Sequence, residues 1–99
     1  MATFVLCYRA PEDYLPFQPG NAPAWTGWLK SLGAGLVNPG EPVREARQLG
    51  NCGAGQRLGG YSVITADDLE SAVELANGCP GLDRGFGVEV GELIGQPGV

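Results

Sequence analysis

Ninety-nine residues, 43% of them hydrophobic, make a single domain with a packed core and argue against disorder. Six basic residues against eleven acidic ones leave a net charge of −5, which counts against nucleic acid, because phosphate contacts need clustered Lys and Arg. No apolar run is long enough for a membrane span, and no basic-then-apolar leader opens the chain, so neither a span nor a secretory signal is expected.

Residues 3–8 predict a strand. Phe4, Leu6 and Tyr8 point one way, and Thr3, Val5 and Cys7 the other. Both faces are largely apolar, which fits a central strand covered on both sides. Residues 9–20 form a loop, because Pro11, Pro16, Pro19 and Gly20 interrupt regular structure. A helix starts at Asn21 or Ala22, with Pro23 tolerated in its first turn. Trp25, Trp28, Leu29 and Leu32 are its apolar stripe, and Gly33 ends it. Residues 35–40 lead into a short strand around residues 41–45. Residues 48–56 are a glycine-rich loop.

The clearest segment is residues 58–80, a strand running into a capped helix. Tyr61, Val63 and Thr65 alternate with Gly60, Ser62 and Ile64. Asp67 suits the N-cap, with Glu70 at N3 as in a capping box. Asp68 and Glu70 add negative charge at the positive end of the helix dipole. Leu69, Ala72, Val73 and Ala76 form the buried stripe. Gly78 suits a left-handed C-cap, and Pro80 stops the helix. Residues 82–85 then turn into a last strand over residues 86–93, with Phe86, Val88 and Val90 on one face. Residues 94–99 read as a frayed tail. The order β-α-β-β-α-β predicts an α+β fold, a four-stranded antiparallel sheet with two helices on one face. One sheet face then keeps apolar residues that a single chain leaves uncovered.

Leu58-Gly59-Gly60-Tyr61, followed by Ala66-Asp67-Asp68-Leu69-Glu70-Ser71-Ala72, resembles the YCII-related family, also called DGPF-domain proteins. Gly78-Cys79-Pro80-Gly81-Leu82 before Val88-Glu89-Val90 is similar to it as well, as is the opening Phe4-Val5-Leu6-Cys7-Tyr8-Arg9. Trp25-Thr26-Gly27-Trp28 and Leu36-Val37-Asn38-Pro39-Gly40 resemble a small-protein branch of that family. The resemblance covers nearly all of residues 1–99 and is weakest over residues 44–57. It implies a ferredoxin-like fold and a homodimer whose two sheets face each other, a dimeric α/β barrel. A small-molecule cleft between those sheets is the expected site. Two departures matter. The Asp-Gly-Pro-Phe motif is absent, with Gly50-Asn51-Cys52-Gly53 in its neighbourhood. The chain also has no histidine, so the His–Asp acid–base pair proposed for some relatives does not transfer.

The odd cysteine count, Cys7, Cys52 and Cys79, does not suggest a disulfide framework, and no metal site or cofactor is expected. A reducing cytoplasm is the natural compartment. Cys7 reads as a small buried hydrophobe, and Cys79 as a helix C-terminal thiol whose pKa the dipole raises. Cys52, in its glycine-rich loop, is the most exposed, but no neighbouring base is evident. That loop lacks the Gly-Lys-Ser/Thr ending and the following helix of a phosphate loop.

The ligand-binding candidates are Tyr8, Arg9, Trp25, Tyr61 and Glu89; no catalytic residue is assigned. Trp25 and Trp28 are core or a ligand cage. Tyr8 and Tyr61 line a cleft or pack under the helices. In the usual 4-1-3-2 strand order the first strand adjoins the fourth, so Arg9 and Glu89 form a salt bridge or hold a small polar ligand. Three functions follow: a homodimer binding a small polar metabolite, a lyase or isomerase working through Tyr61, Arg9, Glu89 or Asp83, and a protein-interaction module using the acidic surface or residues 44–57.

Overall fold

The computed structural model describes residues 1–14 and 22–95. Of the loop expected over residues 9–20, residues 15–20 lie outside them, as do the last four residues of the expected tail, and residues 9–11 belong instead to the first strand. The chain runs β1 (Ala2–Pro11), α1 (Ala22–Ser31), β2 (Leu36–Asn38), β3 (Gln56–Ala66), α2 (Leu69–Ala76) and β4 (Gly87–Leu93). Short 3-10 turns at Gly33–Gly35 and Pro80–Arg84 precede β2 and β4. The sheet is antiparallel in the order β2-β3-β1-β4, a ferredoxin-like arrangement.

Period-two alternation in β1 sorts its side chains. Phe4, Leu6, Tyr8 and Ala10 are buried, and the residues between them are half-buried. Ile64 lies opposite Phe4 on β3, and Val90 lies opposite Leu6 on β4. Ala72 and Ala76 of α2, with Trp25, Trp28 and Leu29 of α1, complete this core. The Trp28 indole N–H donates to the Leu75 carbonyl at 3.3 Å and ties the two helices together. The other sheet face carries Val5, Cys7 and Arg9, with Tyr61 and Val63 across from β3 and Glu89 across from β4.

Three local expectations are corrected. First, the N-cap of α2 is Asp68, not Asp67. Asp68 is extended, with φ −156°, and its carboxylate accepts from the Ser71 N–H at 2.8 Å. Ser71, not Glu70, therefore occupies the third helical position. Second, Gly78 is not a left-handed cap, since α2 ends on Asn77 in right-handed geometry. Glycine stands there for room: a Cβ on residue 78 would meet the Trp28 Nε1 at 2.9 Å. Third, the second strand is Leu36–Asn38, and residues 41–45 contribute only a bridge from Pro42 to Gly60.

The cap assignment has a measurable consequence. Asp68→Ala should lower the urea midpoint, while Asp67→Ala should stay near wild type. The Ser71 backbone N–H, and after it the Ser71 hydroxyl, hold the Asp68 carboxyl below its ordinary value of 3.8. A depressed carboxyl stabilises the fold above its unfolded-state value and loses that effect as pH falls through the folded value. Wild type and Asp68→Ala should therefore converge in acid. Urea titrations of the three proteins at neutral and acid pH check both statements.

Candidate functional site

A cavity of about 220 Å³ opens on the helix side of the sheet. Its construction starts with Gly59 and Gly60. The register between β1 and β3 slips between Tyr8 and Arg9, so Tyr8 faces Gly60 while Arg9 faces Leu58. Such bulges bend a strand and re-aim its side chains. Gly59 and Gly60 contribute no side chains, so the sheet is bare where the cavity sits.

Aromatic rings from distant parts of the chain wall this space. The Trp25 ring meets Tyr8 edge-on at 4.9 Å between centroids and lies 5.7 Å from Phe86. Tyr14 meets Phe86 edge-on at 4.9 Å. Edge-to-face pairs of this kind set ring position as well as burying area. Arg57 fixes Tyr14 from outside: its guanidinium lies 5.4 Å over the ring and donates to the Tyr14 carbonyl at 3.0 Å. Burial raises the Tyr14 phenol pKa, against the lowering effect of Arg57.

Residues 39–43 close the remaining side. They run along β3, held by Val43 N–H to the Gly59 carbonyl at 2.9 Å and by the Pro42–Gly60 bridge. Gly40 turns there with φ +70°. Its N–H donates to the Asn38 side chain at 2.9 Å, so Asn38 shapes the turn.

One polar group lies deep in this apolar setting. The Tyr8 hydroxyl donates to Ser62 Oγ at 2.8 Å, and Ser62 donates in turn to the Pro39 carbonyl at 2.7 Å. Both residues are buried and both line the cavity. Burial drives the Tyr8 phenol pKa well above its ordinary value, against the lowering effect of the Ser62 bond, so Tyr8 is a neutral phenol. Glu41 is the one charged residue in the cavity lining among the described residues.

The five expected binding residues divide. Tyr8 and Trp25 line the cavity, and Tyr61 borders it from its place between Gly60 and Ser62 on β3, although its register is that of the open face. Arg9 and Glu89 belong to the open sheet face instead. Side chains alternate along β1, so Arg9 points away from Tyr8, and Glu89 pairs with Cys7. Arg9 does not bridge to Glu89; it donates to the Cys52 carbonyl at 3.0 Å. Asp83 lies in the turn before β4, outside the cavity. This cavity lies under α1, within one chain; the cleft expected between the facing sheets of two chains is a separate place, on the open face with Arg9 and Glu89. Tyr14, Glu41, Ser62 and Phe86 are lining residues that the sequence reading missed. Ser62 was detectable, because it shares the inward register of Ile64 and Ala66 and is the polar residue among them.

The thiols take no part in the lining. Cys52 is exposed, Cys7 half-buried and Cys79 buried. Burial raises the Cys79 thiol pKa, opposed by the N–H groups of Gly81 and Leu82. No helix among the described residues is long and apolar enough to cross a membrane.

No family model matches the chain, and no curated protein sequence matches it. Among solved structures, it is similar to 5-chloro-2-hydroxyhydroquinone dehydrochlorinase (TftG) from Burkholderia phenoliruptrix AC1100, in complex with 2,5-dihydroxybenzoquinone. The TM-score is 0.68 with 16% sequence identity, covering 95% of each chain. At that identity the likeness is one of fold.

Proposed function

We propose that this chain binds a small, single-ring organic molecule in the cavity under α1, as a YCII-like homodimer. The observation that carries the reading is the cavity itself: four aromatic rings around one buried, hydrogen-bonded hydroxyl pair. Small-molecule sites are typically apolar and concave with a few placed polar groups. An apolar cavity of about 150 Å³ already admits benzene, so about 220 Å³ suits one substituted ring. The ring ligand of TftG, on a similar fold, supports the same size class.

The dimer rests on the open sheet face. Val5, Cys7, Tyr61 and Val63 share it, and Tyr61 and Leu93 are 38% and 46% exposed. A second copy presenting the same face would cover these residues by two-fold symmetry. The lyase or isomerase alternative, which needs Tyr61, Arg9, Glu89 or Asp83 to move protons, has only Tyr61 of these at the cavity.

Titration with phenol, followed by backbone amide shifts, tests the binding reading. Saturable shifts at Gly59, Gly60 and Ser62 are expected, with a dissociation constant in the millimolar range for so small a probe. Absence of shifts at saturating phenol, or shifts confined to the open face, would overturn it. Light scattering at micromolar concentration should show twice the 10.3 kDa chain mass; a 10.3 kDa particle would remove the dimer.

A further inference from the structure

We infer that the Tyr8–Ser62–Pro39 chain of hydrogen bonds makes this cavity selective for rings that carry a free hydroxyl. The class is phenols, catechols and hydroquinones; ethers and fully oxidised diones, whose oxygens only accept, are disfavoured. The inference rests on the ring-binding reading above and adds the polarity of the ligand.

The argument begins at Pro39. A backbone carbonyl accepts hydrogen bonds and never donates. Ser62 has one hydroxyl proton, and it is committed to the Pro39 oxygen at 2.7 Å. Toward Tyr8, therefore, Ser62 Oγ can only accept. The Tyr8 proton is committed to it at 2.8 Å. The direction of the whole chain follows from its carbonyl end.

What remains at the Tyr8 oxygen is acceptor capacity alone. Among the described residues no other side chain or N–H donates to it. Loss of the Tyr8 proton would not alter the selection, since a phenolate also only accepts. A ligand oxygen placed against Tyr8 must then bring its own proton. A hydroxyl does so. An ether or carbonyl oxygen would face a second acceptor inside an apolar wall, and an unmade buried hydrogen bond is costly. The surroundings strengthen the effect, because the rings of Trp25 and Phe86 and the bare backbone of Gly59 and Gly60 bring no hydroxyl proton to Tyr8 beyond its own and that of Ser62.

Two probes of similar shape separate the possibilities: phenol, and its methyl ether anisole. Their dissociation constants would be measured by amide-shift titration on wild type, Tyr8→Phe and Ser62→Ala. The readout is the anisole-to-phenol ratio of dissociation constants, compared between proteins, so the intrinsic hydrophobicity of each probe cancels. The wild-type ratio should stand about tenfold above that of Tyr8→Phe, which removes the acceptor and supplies the baseline. Ser62→Ala frees the Tyr8 proton to point at the ligand, and the ratio should fall by about tenfold or reverse. The two variants are independent, so one that fails to fold leaves the other as the test. A ratio unchanged across the proteins, with both probes still bound at Gly59 and Gly60, would overturn the selectivity while leaving ring binding intact. Failure of both probes to bind wild type would remove the ring-binding reading and this inference with it.

Discussion

Gly40→Ala should destabilise the domain by at least about 3 kcal/mol and abolish ring binding. Two costs combine at this position. An alanine must hold φ +70°, which costs a non-glycine residue about 1–2 kcal/mol. Its Cβ would also stand 1.6 Å from the Tyr61 carbonyl oxygen and 2.6 Å from the carbonyl carbon. Backbone atoms of a central part of β3 cannot retreat, so residues 39–43 must lift. Lifting them breaks the Ser62 bond to Pro39 and the Val43 bond to Gly59, each costing about 1–3 kcal/mol when a buried group is left unpaired. Gly50→Ala is the control. Gly50 also has φ +70°, but nothing lies within 4 Å of a Cβ there, so it should show the strain alone. Urea unfolding of both variants, with phenol titration of any that fold, measures the difference. Equal midpoints for the two would mean that residues 39–43 are not seated on β3 as described.

Phe4→Ala should be the most damaging truncation in the core, at about 3–5 kcal/mol. Phe4 is fully buried near the start of β1, between Ile64 on β3 and Glu92 on β4. Ala72, also fully buried, belongs to the same core on the α2 side. Neighbours this small cannot reach in to fill the space, so the cavity term adds to the lost transfer energy. Against a total stability of roughly 5–15 kcal/mol, the melting temperature should drop by roughly 12 °C or more. Val37→Ala, at an edge-strand position 57% exposed, should change stability by less than about 0.5 kcal/mol. Thermal unfolding of the pair tests the burial pattern; similar melting temperatures would show that Phe4 does not anchor the core.

Much of the scaffold was legible because its periods are short. Phe4, Leu6 and Tyr8 announce the buried face of β1 by alternation, and Trp25, Trp28 and Leu29 announce that of α1 by helical spacing. The errors arose where one residue type satisfies two physical demands. Asp67 and Asp68 are equally good caps, and only the geometry of the Ser71 N–H separates them. Gly78 fits a left-handed cap as well as it fits close packing under an indole, and the indole comes from a helix far away in sequence. Asn38-Pro39-Gly40 reads as a turn before a strand, whereas the strand ends there and the turn lies back over β3.

The site divided for a similar reason. Tyr8 and Arg9 are adjacent in sequence and therefore point to opposite sides of a sheet. Tyr8 therefore lines the cavity under α1, and Arg9 lies on the open face with Glu89. Tyr14 and residues 39–42 reach the cavity through loop paths that no periodicity reports, whereas alternation with Val88 and Val90 gave the side of Phe86 but not its meeting with Tyr14 and Trp25. Ser62 was the detectable omission, since a hydroxyl in an inward register needs a partner, and the partner is Tyr8.

The central place of β1 also governs how the sheet can come apart. Its partners are β3 on one side and β4 on the other, and β2 touches only β3. Withdrawing β1 would leave a hairpin-like β2–β3 pair and a solitary β4, neither of which can persist alone in water. The sheet thus has no stable half-open form that lacks its middle strand. Every ladder bond of β1 joins residues far apart in the chain, so the loop-closure entropy must be spent before any of those bonds forms. Assembly and loss of the domain are for that reason all-or-none events, and the cavity, one wall of which is Tyr8 of that strand, exists only when the whole sheet does.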